Sequence, residues 1–154
     1  WFECKIRYEK VMENGMQKKV TEPYLVDALS FTEAEARIIE EMTPFISGEF
    51  TVSDIKRANY SELFPSDEES ADRWFKCKLI FITLDEKSGA EKKTSTQVLV
   101  QAADLRDAVK KLDEGMKGTM ADYQIGMVSE TPLMDVYPYS AEPNDKPEFD
   151  PAKS

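Results

Sequence analysis

The chain has 154 residues, 41% hydrophobic and 32% charged, with a net charge of −10, two cysteines and no histidine. That length suits one domain or two small units with a proper core, and no apolar run approaches the roughly 18 residues of a membrane span. The acidity disfavours a nucleic-acid partner, the missing histidine excludes Ser-His-Asp and Cys-His catalysis, and two cysteines cannot complete a four-ligand zinc site.

The chain opens on WFECKIRYEK. Phe2, Cys4, Ile6 and Tyr8 alternate with Glu3, Lys5, Arg7 and Glu9, which predicts a half-buried strand with Cys4 pointing inward. Asn14-Gly15 in MENGMQ is a strong hairpin signal and leads to a second strand through YLVDAL at 24–29. Ser30 followed by Glu33 reads as a capping box. The stripe Phe31, Ala34, Ile38, Met42 and Phe45 predicts a helix, stopped near Thr43 by Pro44. A third strand is expected in IKRANYSEL, 55–63. The stretch 65–73, PSDEESADR, carries four acids against one base and reads as a solvated linker.

The pattern then returns. WFKCKLIFIT from Trp74 repeats the opening, with Phe75, Cys77, Leu79 and Phe81 on one face. Ser88-Gly89 stands at the hairpin place, one residue later in its copy. VLVQAA at 98–103 matches YLVDAL at an offset of 74, pairing Val26 and Ala28 with Val100 and Ala102. Asp104 and Asp107 match Ser30 and Glu33. Leu105, Ala108, Val109, Leu112 and Met116 form the second helical stripe, expected to stop near Gly118. IGMVSETPL at 125–133 supplies the third strand, aligned with the first copy at an offset of 70. The tail, 138–154, has four prolines and four acids, with Tyr139 and Phe149 as anchors.

These elements predict an α+β fold from a tandem duplication of a ββαβ unit. Residues 1–64 form the first repeat, 65–73 an acidic linker, 74–137 the second repeat and 138–154 a Pro-rich tail. Two such units can pair edges about a pseudo-twofold axis, with two helices on a six-stranded, mainly antiparallel sheet or partial barrel.

WFxCKxxYEK, EPYLVDALSFTEAEARI at 22–38 and DVYPY at 135–139 resemble a bacterial family catalogued only as a domain of unknown function. The resemblance covers residues 1 to about 140 and implies a cytoplasmic bacterial setting, with no activity, cofactor or catalytic residue to carry over. With the repeat frame shifted to strand-helix-strand-strand, the order is also similar to duplicated modules that bind small apolar molecules in the cleft between repeats.

No residue pattern carries catalysis. Glu33, Glu35, Glu40 and Glu41 read as a solvated helix face. DEES at 67–70 lacks the glycine and spacing of a calcium loop, and no glycine-rich phosphate loop occurs. Cys4 and Cys77 read as core thiols. No cofactor or metal is therefore expected. The outer faces do offer a contact surface. Trp1, Lys5 and Arg7 line one outer face, Trp74, Lys76 and Lys78 the other, and there Ile80 and Ile82 replace Arg7 and Glu9. Two exposed isoleucines beside Trp74 need a cover, from a second subunit or from the tail through Phe149. Trp1, Trp74, Ile80 and Ile82 are thus the expected interaction surface. The sequence points to a non-enzymatic binding or assembly module. Its partner is expected to be protein, self or other, with a small apolar ligand between the repeats as the alternative and no nucleic acid or membrane.

Overall fold

The computed structural model describes residues 1–138. In the first repeat, β1 (Phe2–Val11) and β2 (Gln17–Val26) form an antiparallel hairpin with Cys4 opposite Tyr24. Gly15 turns it at φ 81°, a left-handed conformation that favours glycine, and the Met12 amide closes the loop on the Met16 carbonyl at 2.8 Å. In the second repeat, β5 (Arg73–Leu84) and β6 (Glu91–Ala102) do the same, with Gly89 at φ 72°. The alternation places the side chains as expected. Phe2, Cys4 and Ile6 are buried on one face of β1, and Phe75, Cys77 and Leu79 on one face of β5.

α1 (Phe31–Met42) covers the first face and α2 (Leu105–Gly115) the second. Both capping boxes form. Ser30 Oγ accepts from the Glu33 amide at 3.1 Å, and Glu33 reaches back to the Leu29 amide at 2.7 Å. Asp104 accepts from the Asp107 amide at 2.8 Å, and Asp107 from the Ala103 amide at 2.9 Å. Ala34, Ile38 and Met42 are buried against Phe2, Cys4, Ile6 and Val26, while Ala108, Leu112 and Met116 are buried in the second core. Each large apolar side chain so enclosed contributes about 1.5–3 kcal/mol. Thr43 caps α1, as Pro44 dictates. α2 ends at Gly115, three residues before Gly118, which turns the chain at φ 87°. Gly115 also has a packing reason: a Cβ there would stand 2.8 Å from the Phe64 ring.

The third strands correct the expected alignment. β3 (Phe50–Arg57) and β7 (Asp122–Glu130) are related by an offset of 73, not 70. Cys4 faces Ile55 and Cys77 faces Val128, and the register slips once in each copy, leaving Ser53 and Gly126 as the extra residues of matching β-bulges. After the helices the second copy has one residue fewer, which returns the offset from 74 to 73.

The expected six-stranded sheet or partial barrel is replaced by two four-stranded sheets, β3-β1-β2-β8 and β4-β6-β5-β7. Two segments not assigned as separate strands supply the difference. β4 (Glu62–Phe64) and β8 (Asp135–Tyr137) are equivalent at an offset of 73, and each precedes a proline, Pro65 or Pro138. β8 pairs parallel with β2 of the first repeat, and β4 pairs parallel with β6 of the second. Each repeat therefore gives its last short strand to the other repeat's sheet, covering an edge that would otherwise be open. The compact units follow space rather than repeat order: Trp1–Ala58 with 134–138, and Asn59–Leu133. The helices pin these donated strands. Arg37 donates to the carbonyls of Asp27 and Pro138, and its counterpart Lys111 donates to Ser66 Oγ at 3.1 Å and pairs with Glu68 at 2.5 Å.

Candidate functional site

The residues expected to form an outer contact surface are placed differently from one another. Trp74 is buried at 6% exposure, and its carbonyl accepts from both the amide and hydroxyl of Thr131. It offers little surface for contact. Trp1 is half-buried, with its carbonyl accepting from the Ala58 amide. Ile80 and Ile82 are half-buried too, on the face of β5 away from α2. Ile80 lies over the bulge, where its Cδ1 stands 2.9 Å from a Cβ built on Gly126. Part of its cover thus comes from its own sheet. Phe149 and Tyr139, the expected tail anchors, lie outside the described residues.

Cys4 and Cys77 are fully buried and unlinked. Burial, helped by Glu3 and Asp54, pushes the Cys4 thiol up to about 12, and burial pushes Cys77 up to about 11. Neither is a thiolate near neutrality. Among the described residues no three His, Cys, Asp or Glu side chains are grouped to hold a metal ion. No helix among them is long and apolar enough to cross a membrane.

A different constellation emerges where the first sheet runs past the end of α1. Strand alternation puts Val20, Glu22, Tyr24 and Val26 on the helix side of β2. Glu22 interrupts this otherwise apolar or aromatic row, yet its side chain is only 13% exposed. Tyr8 donates its hydroxyl to Glu22 Oε1 at 2.8 Å, Tyr24 donates to the same oxygen at 3.4 Å, and Lys10 approaches Oε2 at 3.6 Å. Burial and the Glu22 contact push the Tyr8 hydroxyl up to about 12, and burial with the Glu22 charge raises Tyr24. Burial, then Asp135 and Glu41, push Tyr137 up to about 12. The rings of Tyr24 and Tyr137 stack at 6.2 Å, inclined by 21°.

Beside this pair lies a hollow of about 240 Å3 lined by Tyr24, Met42, Phe45, Met134, Asp135 and Tyr137. Two larger hollows are less suited to a ligand. One of about 520 Å3 is an open hairpin tip at Lys10–Asn14. Another, of about 410 Å3 beside β4, has its lysine, Lys111, already bonded to Glu68, Asp107 and Ser66.

The second unit has other residues at the matching positions. Strand register makes Phe81 the counterpart of Tyr8, Thr96 of Glu22, Val98 of Tyr24 and Phe64 of Tyr137. Glu22 on an inward position was the signal available in the sequence. The contribution of Tyr137 was not, because it depends on β8 joining β2.

The fold defines a two-unit α+β protein built from a tandem repeat with exchanged end strands, in which the first unit carries a tyrosine–carboxylate network at positions the second fills with Phe81, Thr96 and Val98. The chain belongs to the family described as a domain of unknown function (DUF4494), matched over residues 1–139. No curated protein and no solved structure matches the chain.

Proposed function

We propose that the chain is a non-enzymatic binding module whose ligand meets the helix-side face of the first sheet, past the end of α1. The observation that carries this reading is the divergence of the two repeats. The same backbone is built in the second unit with Phe81, Thr96 and Val98, so the fold does not require Tyr8, Glu22 and Tyr24. The carboxylate and its two tyrosines, at the rim of the first core, are therefore not dictated by the fold and can serve contact as well as packing. Buried thiols held above neutrality and the absence of histidine support binding over catalysis. The test is a small-molecule panel titrated into the full-length protein and followed by backbone amide resonances. Shifts should concentrate at Tyr8, Glu22, Tyr24 and Tyr137. Absence of shifts, or equal shifts at Phe81, Thr96, Val98 and Phe64, contradicts the reading.

A further inference from the structure

The hollow at the end of α1 has a definite chemical character. Its walls are apolar and polarizable: the stacked rings of Tyr24 and Tyr137, buried Met42, and the exposed side chains of Phe45 and Met134. Its surroundings hold more acids than bases. Asp135 lines it, and both Asp135 and Glu41 act on the Tyr137 hydroxyl. Glu22 accepts from the Tyr24 hydroxyl and is itself approached by Lys10. The C-terminus of α1 adds the negative end of a helix dipole, with Glu40 and Glu41 in its last turn and no basic residue there. The nearby guanidinium of Arg37 bonds the carbonyls of Asp27 and Pro138.

The second unit shows the same helix end with one added lysine just past its cap. Thr43 becomes Lys117, Glu41 becomes Gly115, Phe45 becomes Thr119 and Met134 becomes Ser61. The correspondence holds in the backbone, where the Phe45 amide bonds the Met42 carbonyl and the Thr119 amide bonds the Met116 carbonyl. One lysine arrives and the apolar walls shrink together, while the acids stay two in number, since Asp113 stands where the first unit has Ile39.

Resting on the binding-module reading above, we infer that this hollow takes the alkylated ammonium head group of a small organic cation. Aromatic faces attract a cation through their quadrupole, and a desolvated ammonium gains most from them when acids stand nearby. A volume of about 240 Å3 is below the range of drug-sized pockets, about 300–1,000 Å3, and suits a single head group. The chain's own residues 139–154 carry four acids against two lysines and do not complement the hollow in charge.

The experiment titrates full-length protein with tetramethylammonium chloride, against sodium chloride at equal ionic strength, and follows amide resonances. Saturable shifts are expected at Tyr24, Met42, Phe45, Met134 and Tyr137. The uncharged analogue tert-butanol should bind about ten-fold more weakly. Thr43→Lys, which gives α1 the lysine of the second unit, and Asp135→Asn, which keeps the Oδ1 that accepts from the Val136 amide, should each weaken binding about three-fold or more. Wild-type amide spectra elsewhere in each variant establish that the fold is intact. Equal binding of tert-butanol, or unchanged binding in both variants, overturns the cation inference. If tetramethylammonium fails while a neutral compound shifts the same amides, the cation inference falls and the binding module stands. If neither kind of compound shifts the first unit more than the second, both fall.

Discussion

Replacing Glu22 by threonine installs the residue that the second repeat uses at the same register. The perturbation removes the acceptor of the 2.8 Å bond from Tyr8, the weaker 3.4 Å contact from Tyr24 and the 3.6 Å approach of Lys10. A hydrogen bond to a charged group contributes about 1.5–3 kcal/mol when buried, and this one is only part-buried, so its lower end applies. The Lys10 pair, with a lysine 48% exposed, adds about 0–1 kcal/mol. Glu22→Thr alone should therefore cost about 1–2 kcal/mol, chiefly by leaving the Tyr8 hydroxyl without its acceptor. Adding Tyr8→Phe removes that hydroxyl and gives the first repeat the second repeat's combination of Phe81 and Thr96. The double variant should then return to within about 0.5 kcal/mol of wild type, because removing both partners of a bond is nearly neutral. Urea unfolding of the four members of this cycle measures the coupling. If Tyr8→Phe adds to the cost of Glu22→Thr instead of relieving it, the network is part of the packing and the argument from repeat divergence fails.

The two helix caps should be separable: Ser30→Ala and Asp104→Ala should each cost about 0.5–2 kcal/mol, with the charged Asp104 the more expensive, and raise amide exchange in their own helix alone. Equal exchange in both helices would refute the local role. Cys4 and Cys77, with ordinary values of 9.0, and Tyr8 and Tyr137, with ordinary values of 10.0, are all raised to about 11–12 in the fold. A raised acid favours the folded state below its unfolded value and loses that contribution as pH climbs to the folded one, so urea stability should fall from about pH 9 to 12. Cys4→Ala with Cys77→Ala should flatten the early part of that fall; an unchanged profile would exclude the thiols as its source. Ile82→Glu tests assembly through the outer face of β5. Sedimentation should show a wild-type dimer become monomeric, and a wild type already monomeric refutes self-association there.

Local chemistry was legible in the chain. The inward faces of β1 and β5, the two hairpins and both capping boxes depend on neighbours within a few residues: a period of two, a glycine at positive φ, a side chain three residues from an amide; the duplication was visible because both copies carry these same local signals. The sequence carried those signals in full because the interactions that make them are short-range. What lay beyond was decided by pairing between distant segments. Ile55 meets Cys4 and Val128 meets Cys77 only after a bulged residue, Ser53 or Gly126, is left out of the ladder, and nothing in a linear alignment marks that residue. β4 and β8 have three residues each, too few to show a period, and their parallel partners are in the other repeat. The hollow shares this origin. Tyr24, Met42, Phe45, Met134, Asp135 and Tyr137 come from three separate stretches of chain. They meet because a free sheet edge left unpaired hydrogen-bonding groups on β2, and β8 satisfied them, bringing Tyr137 onto Tyr24.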